Sequence, residues 1–193
     1  VLWTGTGVLV WGGLGSVAAA TGAVLVCDAN GIPVAWESLP VLEGFAPRFL
    51  HVAAWDGRRL MVWGGRNPST GAALGDGAVL DMGTKTWTRM SATGAPSARF
   101  GAMGAWTGDE LLVFGGGDAN SPLLGGGAWR LSTGTWRALP SAAPAVARYQ
   151  GLAAWTGSEL LAFGGQGAGG TTLGQLQRLA ASPPWHFFRK GPN

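Results

Sequence analysis

Charge is scarce in this sequence: Asp, Glu, Lys and Arg make up only 12% of its 193 residues. Apolar residues make up 47%, which excludes the low-hydrophobicity, high-charge regime of a disordered chain. Cysteine occurs once, as Cys27, so no internal disulfide can form. In the apolar run Ala23–Cys27 its thiol reads as buried and inert. Lysine is nearly absent. Lys85 and Lys190 stand beside eleven arginines, the net charge is +3, and no basic cluster occurs. No nucleic-acid partner is therefore expected. One tyrosine and two histidines leave little material for acid–base or metal chemistry. No Ser-His-Asp set, phosphate-cradling glycine loop or zinc spacing is present, and no catalytic residue, metal site or cofactor is expected. Uninterrupted apolar runs are also lacking. Val8–Val26 has the length of a membrane span, but Gly12, Gly13, Gly15 and Gly22 break it and no basic segment precedes it, so no membrane span is expected.

What the chain has in quantity is glycine, at 35 residues, and tryptophan, at 11. Glycine without collagen periodicity, mixed with Val, Leu, Trp and Phe, predicts tight turns between short strands. The tryptophans reveal a repeat. Trp-Thr/Asp-Gly recurs at Trp3, Trp55, Trp106 and Trp155, with spacings of 52, 51 and 49 residues. Each copy leads into a short apolar run ending in aromatic-Gly-Gly, at Trp11, Trp63, Phe114 and Phe163. A further Trp closes each unit: Trp36, Trp87, Trp136 and Trp185. Three units also open on Arg-aromatic pairs, Arg48-Phe49, Arg99-Phe100 and Arg148-Tyr149.

A period near 50 with a double glycine and a late Trp resembles the kelch repeat, over essentially the whole chain. The resemblance implies an all-β β-propeller of four-stranded antiparallel blades. The units run approximately 1–40, 41–91, 92–141 and 142–193 within a single domain spanning 1–193. The residues of the second unit fit that plan independently. Phe49–Trp55 reads as a strand, Asp56-Gly57 as a hairpin turn, and Leu60–Trp63 as a second strand. Gly64-Gly65 lets the chain leave that strand, Ala78–Asp81 forms a third, and a fourth holds Trp87. The recurrent aromatics are expected between neighbouring blades, where a Trp buries roughly 150–250 Å². Trp129 has no aromatic counterpart. Ala128–Leu131 aligns against Ala78–Asp81 without the acidic residue, and Pro183-Pro184 predicts an irregular last strand before Trp185. Val1 aligns with Ala53, inside an inner strand, so a partial propeller with further blades is expected, a closed four-bladed ring being the alternative.

The loops after Gly-Gly and the interblade loops vary between units and, by strand order, share one face, the expected binding surface. Arg48, Arg99 and Arg148 open the innermost strands. They are expected either to ring the channel mouth and bind a ligand, with His51 beside them, or to bond neighbouring carbonyls and acids. Arg66, Asp76, Asp118 and Asn120 lie in the variable loops as further candidates. These readings point to a non-enzymatic scaffold binding a protein or carbohydrate. The resemblance also allows a fragment of a sugar-acting kelch enzyme. A galactose-oxidase-like copper site takes two tyrosines and two histidines, a set this chain does not hold; a sialic-acid mutarotase-like site takes an acid–base pair, for which only His51 stands out. Arg over Lys and abundant Gly and Ala suggest a GC-rich bacterial genome. Low charge and Ser/Thr/Gly loops suggest a secreted or extracytoplasmic location.

Overall fold

A computed structural model of the chain describes residues 1–15, 20–139 and 146–180. These form four antiparallel sheets in chain order. The first holds β1 (Leu2–Trp3), β2 (Gly7–Trp11), β3 (Gly22–Cys27) and β4 (Pro33–Ser38). The second holds β5 (Val52–Trp55), β6 (Arg59–Trp63), β7 (Gly77–Asp81) and β8 (Thr86–Arg89). The third holds β9 (Met103–Trp106), β10 (Glu110–Phe114), β11 (Gly126–Arg130) and β12 (Thr135–Leu139). The fourth shows β13 (Leu152–Trp155), β14 (Glu159–Phe163) and β15 (Leu176–Ala180). Strands pair with their chain neighbours throughout, giving four blades of one meander topology. Trp185, His186 and the Pro183-Pro184 irregularity lie outside the described residues.

Alternation along each strand sends successive side chains to opposite faces, and three clusters fill the spaces between successive blades. Leu9 and Trp11 meet Leu60, Val62, Ala78 and Leu80. Val52, Met61 and Trp63 meet Leu111, Val113, Trp129 and Trp136. Met103, Leu112 and Phe114 meet Leu160, Ala162 and Leu179. Among the described residues, no such cluster joins the fourth blade to the first. The recurrent aromatics are accordingly covered where a neighbouring blade packs against them and exposed where none does among the described residues. Trp3 and Trp36 are 64% and 56% exposed, because they stand on the face of the first blade turned away from the second. Phe163 is 50% exposed, whereas Phe114, at the same repeat position, is 1% exposed.

Two alignment details also change. The register sets Arg130, not Leu131, at the place of Asp81, since Arg59 pairs with Asp81 and Glu110 with Arg130. Trp129 therefore occupies the place of Leu80, opposite the closing Trp136 as Leu80 is opposite Trp87. The acid of the third unit has moved to the neighbouring strand, where Glu110 accepts hydrogen bonds from Arg130 and Arg137. The inner strand of the second blade begins at Val52 rather than Phe49, because Leu50 takes a left-handed φ of 54°.

Candidate functional site

The Gly-Gly pair and the recurrent arginine build the rim together. The first glycine is left-handed, at φ 68° in Gly64 and 64° in Gly115. A Cβ on Gly64 would sit 2.9 Å from the carbonyl oxygen of Arg99, so only glycine fits. The second glycine donates its N–H to the arginine carbonyl of the next unit: Gly13 to Arg48, Gly65 to Arg99 and Gly116 to Arg148. Each arginine side chain turns back into its own blade. Arg99 donates Nε to Ser97 O at 2.9 Å and Nη1 to the carbonyls of Gly115 and Gly125 at 2.8 and 3.2 Å. Arg148 repeats this with Val146, Gly164 and Gln175, and Arg48 with Ala46, Gly64 and Asp76. Arg48 adds a two-pronged pairing with the Asp76 carboxylate, at 3.0 and 3.1 Å. All three arginines are buried. Burial pushes their pKa values down from the free value, an effect the Asp76 carboxylate opposes at Arg48.

The arrangement around these arginines is thus the one in which they bond neighbouring carbonyls and an acid, and not a ring presented at a channel mouth. The carbonyls freed where the chain leaves the second strand at Gly-Gly and enters the third need donors, and the guanidinium supplies them. Asp76 is drawn into the same network. His51 is largely buried, with the ring of Trp11 edge-on at 5.3 Å, and its Nδ1 has no hydrogen-bond partner among the described residues. Burial and the nearby Arg48 charge push its pKa down to about 4.

Arg66, Asp118 and Asn120 are brought together instead. They line a cavity of about 400 Å³ on the loop face, with Phe100 and Tyr149 on its walls and the loop Gly167–Gly170 beside them. Arg66 follows the second glycine of its unit. It donates Nε to Gly71 O at 2.9 Å and holds its guanidinium over the Phe100 ring. Tyr149 packs edge-on against Phe100 and donates its hydroxyl to Gln166 Oε1 at 2.7 Å. Asp118 Oδ1 accepts the backbone N–H groups of Asn120 and Ser121, which hold its carboxyl below the usual range.

Sequence reasoning read Phe100 and Tyr149 only as packing, and two further lining residues, Leu50 and Gln150, escaped it altogether. Each follows an Arg-aromatic pair, and Gly101 holds the matching place in the third unit. Gly101 donates its N–H to Leu50 O at 2.8 Å, and Gln150 donates to Gly101 O at 2.7 Å, so one backbone belt crosses three blades. The available signal was variation, Leu, Gly and Gln, at one place in an otherwise regular repeat.

With the blades, the belt and the Gly-Gly rim established, a comparison with protein families is decisive. The family model of the KLHDC2/KLHL20/DRC7 kelch-repeats domain matches residues 1–183. The chain belongs to the kelch-repeat family. Among curated proteins, none matches this kelch chain. Kelch architecture suits a protein-interaction scaffold, with one loop-bearing face held by repeated blades. Among the described residues, no three His, Cys, Asp or Glu side chains gather where a metal ion could be held. No helix among them is long and apolar enough to cross a membrane.

Proposed function

We propose that this kelch domain is a protein-binding scaffold that takes its partner on the loop face, in the cavity shared by the second, third and fourth blades. One observation carries the reading: the cavity of about 400 Å³ is walled by side chains that do not recur, Arg66, Asp118, Asn120 and Gln150, standing on rims that do. The recurrent arginines are committed to holding their blades together, so the unrepeated side chains are available to a ligand. The aromatic pair Phe100 and Tyr149 supplies rigid apolar area, and the guanidinium and amide groups around it supply direction.

The test is affinity selection of peptides from a random dodecamer library on the immobilised chain. Binding should be abolished by joint Arg66→Ala and Tyr149→Ala substitution. It should survive Arg58→Ala with Arg178→Ala, which alter exposed arginines of the hairpin-turn face and the outer face of the fourth blade. The opposite pattern would move the binding face elsewhere. Binding to a glycan array through Arg66 and Tyr149, with no peptide retained, would replace the protein partner with a carbohydrate.

A further inference from the structure

The residue after each Arg-aromatic pair takes a left-handed backbone in all three units that carry one: φ is 54° at Leu50, 60° at Gly101 and 56° at Gln150. The belt of hydrogen bonds through these residues fixes that conformation. An L-residue with a Cβ is strained there, and glycine is not. Gly101 meets the requirement without a side chain, so the backbone geometry does not call for leucine or glutamine. Strain kept where the fold does not need it points to a use for the side chain. Both side chains are placed for one. Leu50 and Gln150 line the same cavity, Leu50 remains 36% exposed, and Gln150 is exposed as well. Gly101 lies between them in the belt, and a Cβ there would stand 3.1 Å from Gln150 Cγ.

We infer that Leu50 and Gln150 are specificity-determining residues of the cavity, reading an extended peptide segment, an inference that rests on the protein-binding reading above. Leu50 gives an apolar seat beside Phe100 for a peptide side chain. Gln150 offers amide N–H donors and a carbonyl acceptor, which match the C=O and N–H of a peptide backbone unit. The bare backbone at Gly101 keeps the two apart and leaves the Gln150 side chain its position.

The test uses a peptide from the library selection above, with Leu50→Gly, Leu50→Asn, Gln150→Gly and Gly101→Leu in the full chain. The glycine variants should unfold at the same or a higher temperature, because strain is removed. All four should bind the peptide at least ten-fold more weakly. Leu50→Asn keeps a side chain that tolerates the left-handed region, so its loss of binding separates the lost contact from any change of fold. Binding within two-fold of the parent in both Leu50 variants and Gln150→Gly, by a peptide that Tyr149→Ala releases, would overturn the inference and leave the cavity in place. Lower unfolding temperatures in both glycine variants would also overturn it, since the side chains would then serve the fold. A library that yields no peptide sensitive to Arg66→Ala or Tyr149→Ala would remove the binding reading and this inference with it.

Discussion

Two sets of arginines on one rim behave in opposite ways. Arg48, Arg99 and Arg148 recur with the repeat and are buried, with their donors spent on carbonyls of their own blades. Arg66 does not recur; Gly117 and Gln166 stand at its place in the next units, and it borders a cavity. In a repeat fold, what returns in every unit tends to solve a problem that every unit has, here the open carbonyls at Gly-Gly. What appears once is released from that duty.

The contrast breaks most visibly by substitution. Arg99→Met strands the carbonyls of Gly115 and Gly125 in a buried site, and should lower stability by about 3–5 kcal/mol. Arg66→Ala should change it by under about 1 kcal/mol. Urea denaturation of both variants measures the difference, and equal losses would erase the distinction. A second comparison uses one repeat position in two surroundings. Phe114→Ala, between the third and fourth blades, should cost about 3–5 kcal/mol. Phe163→Ala, half exposed, should cost under about 1 kcal/mol in this chain. Similar losses would show that the outer face of the fourth blade is covered.

His51 sharpens the picture through pH. Its folded pKa lies near 4, against 6.5 when free. Below pH 6.5 the unfolded chain binds a proton that the folded chain refuses until about pH 4. Its contribution is therefore complete above 6.5 and falls by about 3 kcal/mol between 6.5 and 4, with no further loss from this group below. Urea midpoints across that window should decline in the parent and flatten in His51→Phe; a parallel decline in both would assign the effect to other groups. The smallest effect belongs to the belt. Leu50→Gly should leave stability unchanged or raise it by up to about 1 kcal/mol, as thermal unfolding would report.

Much of the fold was legible because large side chains mark it. Trp recurs on a fixed period, and Trp3, Trp55, Trp106 and Trp155 declare four blades. Spacing does not tell which way a side chain turns. Arg48, Arg99 and Arg148 were legible as a position, yet their direction depends on the carbonyls of Gly64, Gly115 and Gly164, which lie sixteen residues further along and become neighbours only on folding. Nor does spacing tell whether a face is covered: Trp3 and Trp36 carry the marks of the repeat and stand exposed where no neighbouring blade packs against them among the described residues. At the cavity, Arg66, Asp118 and Asn120 could be named from the variable loops. Leu50 and Gln150 could not, because a left-handed φ at Leu or Gln leaves no compositional mark, unlike the glycine at Gly101.

The most direct test of the division between recurrent and unrepeated arginines is solvent exchange of arginine Nε–H protons by NMR near neutral pH. Arg48, Arg99 and Arg148 each donate Nε to a carbonyl two residues back inside a buried site. Their signals should persist and exchange at least 100-fold more slowly than that of Arg178, whose guanidinium is exposed. Exchange as fast as Arg178 at all three would place these arginines in solvent at the channel mouth, and would contradict the account.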